Sequence, residues 1–237
     1  KEGEHTAILG ANGSGKSTLL KLFSNDLYPR YSDSMRKEIF GKTVWDIWEL
    51  KKHLGIITND LHYQFSERAP DLSGFEVALS GFFSSFHLYE HQGFKPEHTT
   101  KVEEVLAFLE IPHLRNKRIS EMSTGELRKC IIARALVHNP KAMILDEPTV
   151  GLDIKAQLGF VQLLRKIAQE RTIILVTHHL EEIFEEINHV VLIKQGSIYA
   201  QGPKEELLND VHLSYVFDIP LRVLSQMGYY ALPLKED

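Results

Sequence analysis

The chain has 237 residues, 43% hydrophobic and 25% charged, with 27 basic against 32 acidic side chains and a net charge of −5. That is ordinary globular composition for one large domain or two small ones, and without a dense Lys/Arg run it disfavours a nucleic-acid groove. The single cysteine, Cys130, excludes an intramolecular disulfide, and no apolar run approaches the length of a membrane span.

Thr6 to Leu9 reads as a short buried strand, and "GANGSGKST" follows it. Leu19, Leu20, Leu22 and Phe23 continue as a helix, and Asn25 to Ser34 is a polar, Pro-containing loop. A short strand is expected at Glu38 to Phe40, turning at Gly41. Val44, Ile47 and Trp48 mark a short helix and Leu54 to Ile57 another strand. From Leu61 to Glu121 the parallel-strand signal disappears. Aromatics crowd "GFFSSFHLYE", and "TTKVEEVLAFLEI" reads as a helix capped by Thr100 and Glu103, with Val102, Val105, Leu106 and Leu109 on one face.

"EMSTGELRKC" opens the next helix. Ser123 and Glu126 form S-x-x-E, a capping box, and Cys130 falls on the packed side. "KAMILDEP" is an apolar strand ending in two carboxylates. Leu158, Val161, Leu164 and Ala168 mark a helix, and "TIILVTHH" is a strand ending in histidine. "VVLIKQGSIYAQG" reads as a hairpin turning at Gln195 and Gly196, and Pro203 opens a helix. The twelve histidines are scattered without metal-ligand spacing, and most are expected at the surface. Alternating strands and helices imply a mainly parallel sheet with helices on both faces, which binds ligands at the carboxyl ends of its strands.

"GANGSGKS" matches G-x-x-x-x-G-K-[ST] between a strand and a helix. Its glycines let backbone amides wrap a phosphate chain. Gly10, Asn12, Gly13, Ser14, Gly15, Lys16, Ser17 and Thr18 are therefore candidate phosphate-binding residues. Lys16 can reach the β- and γ-phosphates, and the Ser17 hydroxyl can ligate Mg²⁺. Asp146 at the end of "MILD" suits the Mg²⁺ shell, and Glu147 beside it suits a general base for water attack.

Taken in order, "GANGSGKST", "MSTGE", "MILDEPTVGLD" and "ILVTHH" resemble the nucleotide-binding domain of ATP-binding-cassette (ABC) proteins over nearly the whole chain. The resemblance implies an α/β P-loop NTPase (RecA-like) core, residues 1–60 and 124–237, with further strands expected before Lys1. It implies an inserted helical subdomain, residues 61–123, ending at the signature motif. It also implies a head-to-tail homodimer closing on two Mg-ATP, with Ser123 and Gly125 of one copy meeting the γ-phosphate held by the other. His178 matches the switch histidine and Asp153 the loop between sites. The expected partner is a membrane permease, docked by the aromatic middle segment, with the chain on the cytoplasmic face of the membrane. The rival class is an ABC ATPase of DNA repair or translation that moves no solute, against which stand the missing coiled-coil insertion and basic face.

Three features depart from the family pattern. Its Leu-Ser-Gly-Gly-Gln signature is Met122-Ser123-Thr124-Gly125-Glu126 here, which adds bulk and a negative charge. Its metal-linking glutamine is replaced by Asn59, one methylene shorter, with Asp60 as the alternative ligand. Its adenine-stacking aromatic would lie before Lys1, so the chain reads as a piece of a longer one. The tail "LSYVFDIPLRVL" resembles tails of cassettes that import metal chelates.

Overall fold

The computed structural model describes residues 2–30, 36–86, 88, 93–225, 228 and 230–233. Its main sheet holds β1 (Thr6–Leu9), β2 (Leu54–Ile57), β3 (Ala142–Asp146), β4 (Thr172–Thr177), β5 (His189–Lys194) and β6 (Ser197–Pro203). They lie in the order β2-β3-β4-β1-β5-β6, parallel except for β6, which pairs antiparallel with β5. A separate ribbon pairs β7 (Leu221–Leu224) with β8 (Tyr230–Pro233). This is the mainly parallel α/β architecture the sequence implies.

Strand residues alternate between two cores, because consecutive side chains leave a strand on opposite faces. Ala7, Leu9, Met143 and Leu145 join the larger core, whereas Ile8, Ala142 and Ile144 join the smaller one. The smaller core receives Leu20 of α1 (Lys16–Phe23) and Leu50 of α2 (Ile47–His53). Between β2 and β3 run α3 (Asn59–Arg68), α4 (Gly74–Leu79), α5 (Pro96–Phe108) and α6 (Thr124–Leu136), with α3, α4, α5 and α6 all contributing to the larger core. Helix α7 (Ile154–Ala168) packs there through Phe160, Leu164 and Ile167. Short helices α8 (Lys204–Leu207) and α9 (Asp210–Phe217) follow, α8 starting directly after Pro203 as expected.

Several sequence expectations need correction. Glu38 to Phe40 is no strand: a single antiparallel bridge joins Ile39 to Lys42, across Phe40 and Gly41, both at positive φ. Thr100 and Glu103 do not cap α5. Pro96 fixes its own φ and tolerates the missing amide, so the helix starts a turn earlier. Thr100 then lies inside it and donates to the Pro96 carbonyl at 3.2 Å, while Glu103 pairs with Arg115 at 2.6 Å. The face from Val102 to Leu109 is buried as the spacing requires. Among the described histidines only His113 is fully exposed; the others are half-buried. Part of the aromatic stretch, His87 and Tyr89 to Glu90, lies outside the described residues, as do Tyr31 to Ser34 of the polar loop. Cys130 is buried, as predicted, and burial pushes its thiol up to about 12.

One close approach fixes the helical layer against the core. A β-carbon on Gly81 would sit 2.2 Å from the Arg134 carbonyl oxygen of α6 and 2.8 Å from Val137 Cγ2. Gly81→Ala must therefore push this segment off α6, and overpacking of this kind costs about 1–3 kcal/mol. Urea unfolding should show that loss. An unchanged midpoint would mean that the layers slide apart freely.

Candidate functional site: a phosphate loop facing two carboxylates

The chain leaves β1 at Leu9 and turns at once. Gly10 has no room for a side chain: a β-carbon would stand 2.5 Å from both the Ile193 carbonyl and Ser14 Oγ. Gly13 (φ 78°) and Gly15 (φ 106°) take left-handed conformations that L side chains avoid. Gly15 precedes α1 without any side-chain cap, and the first turn of α1 holds no acidic residue. The leading amides of α1 are thus left free for an anion. The tip of the β5–β6 hairpin supports the loop from behind, Gly196 N–H donating to the Ser14 carbonyl at 2.8 Å. Ser14 is buried and its Oγ has no hydrogen-bond partner among the described residues.

Lys16 is buried and donates to the carbonyls of Gly10 at 2.7 Å and Ala11 at 3.1 Å. Burial lowers its pKa, and the charges of Glu147 and Asp146 work against that shift. These carboxylates end β3. Burial raises Asp146 to about 6, with Glu147 and Asp60 adding to the rise and Lys16 opposing it. Glu147 stands at φ 47°, a strained position for a side-chain-bearing residue, and its amide donates to the Val176 carbonyl at 2.8 Å. His178 follows β4, and its Nδ1 lies 2.7 Å from Glu147 Oε1.

A cleft of about 670 Å³ joins these groups. It is lined by Asn12, Gly13, Gly15, Lys16, Ser17 and Thr18 from the loop, by Asn59 and Asp60, and by Asp146 and Glu147. Ser123 and Gly125 do not line it. They belong to the amino end of α6, where Ser123 borders a separate hollow of about 230 Å³ with His62 and Thr124. The Ser123–Glu126 capping box is formed as predicted: Glu126 N–H donates to Ser123 Oγ at 3.3 Å, and Ser123 N–H to Glu126 Oε2 at 2.8 Å. Asp153 caps α7 by accepting from the Ala156 amide at 2.8 Å.

Strand β2 ends at Ile57 as the sequence reading has it, Thr58 caps α3, and Asn59 is the first residue of that helix. Its Oδ1 accepts from Arg128 Nη2 at 3.0 Å. Sequence reasoning also missed four residues. Arg128 gathers the loop after Glu147, and the buried Glu182 bonds that loop as well. Lys117 Nζ meets both oxygens of Glu126, at 2.9 and 2.8 Å. Burial raises the Glu126 carboxyl, but Lys117 and the Ser123 amide outweigh it, and its pKa ends below the ordinary value. Gln64 lines the cleft one helical turn beyond Asp60, a spacing the sequence does show.

The family model described as "ABC transporter" matches residues 1–150. An uncharacterised ABC transporter ATP-binding protein of Bacillus subtilis (strain 168), YlmA, is 34% identical over 232 residues, covering 94% of this chain and 84% of its own length. The hemin import ATP-binding protein HmuV of Escherichia coli O157:H7 is 31% identical, covering 94% of this chain and 84% of its own. A dimeric structure of the ATP-binding cassette MJ0796, in a post-hydrolysis state with ADP and Pi, superposes with a TM-score of 0.64 at 28% identity, covering 86% of each chain. The uncapped phosphate loop, the carboxylate pair beyond it and these likenesses agree, and the chain belongs to the ABC transporter family as one of its ATP-binding subunits.

Proposed function

We propose that this chain hydrolyses ATP to drive a solute through a membrane partner. The observation that carries the reading is the meeting of the phosphate loop and Glu147 in one cleft. The partnerless buried Ser14 Oγ and the uncapped start of α1 fit a phosphate chain. Gly10, Asn12, Gly13, Ser14, Gly15, Lys16, Ser17 and Thr18 hold it, with Lys16 exchanging its two carbonyl partners for phosphate oxygens. Among the described residues no three His, Cys, Asp or Glu gather into a metal cage. That fits Mg²⁺, which keeps few protein ligands and shares phosphate oxygens. Ser17 and Asp146 would hold it, and when bound it neutralises charge on the phosphates. Asn59 lines the same cleft with its oxygen turned to Arg128.

Glu147 takes a proton from water as the water oxygen attacks the γ-phosphorus. The bond to the β–γ bridging oxygen breaks, and ADP leaves with that electron pair. His178, 2.7 Å from Glu147, orients the carboxylate and can meet the γ-phosphate. The site is incomplete in one copy, because Ser123 and Gly125 lie away from the cleft. A second copy would present them head to tail, as the dimeric state of MJ0796 supports. Residues 61–123 act as the helical subdomain beside a core of residues 1–60 and 124–237. Its aromatic segment, where Phe83 meets Phe94 at 5.3 Å, docks the permease. No described helix is long and apolar enough to cross a membrane. In this reading the solute path belongs to the partner and the chain works at the cytoplasmic face. The tail and the likeness to HmuV favour a metal chelate as the solute.

Glu147→Gln should keep ATP binding and lower turnover about 100-fold or more, whereas Lys16→Ala should weaken binding itself. Nucleotide titration beside a steady-state ATPase assay separates the two, and wild-type turnover in Glu147→Gln removes it as the base. ATP should also shift the Glu147→Gln protein to dimers in light scattering at several concentrations. A nucleotide-saturated monomer counts against the shared site. The charge pairing gives a third expectation. A carboxyl raised from 3.8 to about 6 makes the folded state bind its proton more tightly, so stability falls as pH rises through that window. Asp146→Asn removes the charge, and its melting midpoint should exceed wild type above pH about 6. The gap should close towards the ordinary carboxyl range. A pH-independent gap would mean that the aspartate is not strained in the folded chain.

A further inference from the structure

Arg128 is buried in α6, 7% exposed, one turn beyond the Ser123 cap. Its guanidinium faces the backbone between Glu147 and Val150. Nη1 donates to the carbonyls of Glu147, at 3.3 Å, and Pro148. Nη2 donates to the Val150 carbonyl and, at 3.0 Å, to Asn59 Oδ1. Glu182 holds the same loop as well: its Oε1 accepts from the Thr149 amide at 3.2 Å and from the Thr149 hydroxyl. A buried cation thus takes the carbonyls of one short loop, and a buried anion takes its amide and hydroxyl.

Burying an arginine is unfavourable unless it is paired and fully used, so cementing a loop alone is a weak reason to keep one. Two observations point further. The loop begins with Glu147 at φ 47°, a conformation that persists only when its surroundings over-determine it. And one side-chain partner of the guanidinium, Asn59, is 69 positions away, at the first residue of α3 and at the wall of the nucleotide cleft. The planar fork can hold both at once, which a lysine's point charge cannot.

We propose that Arg128 is a positioning residue: it ties the start of α3, through Asn59, to the loop that aims the Glu147 carboxylate. Asn59 then serves as a strut and not as a metal ligand. A movement of α3 is transmitted to the backbone of the proposed base without a change in the phosphate loop. The inference rests on the reading of Glu147 as the base.

The test uses the full chain with Mg-ATP. Asn59→Leu should lower kcat by about 10-fold or more, as loss of an orienting partner does. ATP affinity by equilibrium titration and the Mg²⁺ concentration for half-activity should stay at wild type. Asn59→Asp, which still accepts from Arg128, should keep most of kcat. Arg128→Gln should be slow, and Arg128→Gln with Asn59→Leu no slower, because both break one link. If Arg128→Gln fails to fold, the Asn59→Leu and Asn59→Asp pair decides alone. An unchanged kcat in Asn59→Leu, a loss explained by ATP affinity, a raised Mg²⁺ requirement or additive effects in the double variant each overturn the proposal. Glu147→Gln measured alongside separates the readings. If it is inactive while Asn59→Leu is not slowed, only the role of Arg128 falls. If it turns over at the wild-type rate, the base assignment fails and the strut falls with it.

Discussion

A phosphate cradle made of backbone is the constraint around which this molecule is arranged. Free amides at the start of α1 require glycines at Gly13 and Gly15 in left-handed conformations, and no β-carbon at Gly10. Such a loop has little packing of its own, so it must be held by its neighbours. Strand β1 sits between β4 and β5, and the β5–β6 hairpin reaches behind the loop to bond Ser14. The same order places the chemistry. Strand β4 lies between β3 and β1, and His178, which follows it, comes within 2.7 Å of Glu147 beyond the end of β3. Strand order alone brings together residues more than a hundred positions apart.

The second principle is charge matching in a poorly solvated cleft. Burial raises the Asp146 carboxyl, the adjacent Glu147 adds to the rise, and Lys16 is the cation that opposes it. Lys16 is held by two carbonyls of its own loop, which fix the ammonium within the cleft. Aligned groups need less reorganisation when charge develops in the reaction. The loop beyond Glu147 follows the same logic, with Arg128 and Glu182 supplying opposite charges to its carbonyls and to its Thr149 amide.

What the sequence revealed and what it hid divide along sequence distance. The phosphate loop, the acid-ended strand and the histidine strand were readable because each is a local pattern: an apolar run, then chemistry at its carboxyl end. The capping box at Ser123 was readable for the same reason. The Thr100 box failed because a four-residue pattern recurs by chance inside helices, and Pro96 upstream was the stronger start signal. Arg128, Lys117 and Glu182 were invisible because their meaning lies in partners 69, 9 and 33 positions away. The Asn59–Arg128 link was invisible for the same reason, since Asn59 opens α3 two residues past the end of β2 and its partner lies in α6. The half-buried histidines show that scatter along the chain says nothing about depth in the fold.

The signature helix shows how a departure from the family pattern is absorbed. A glutamate beside the proposed phosphate-binding turn should repel the anion that turn would serve. Here Glu126 is spent locally: one oxygen accepts the Ser123 amide, and both face Lys117. The carboxylate satisfies an orphan amide and carries its own counter-cation, so the turn gains a cap without presenting a bare negative charge. Ser123 and Thr124 stay exposed at that end. Thr124 can therefore be larger than the family's glycine without crowding this chain's own core, and its bulk matters only to whatever approaches the open end of α6.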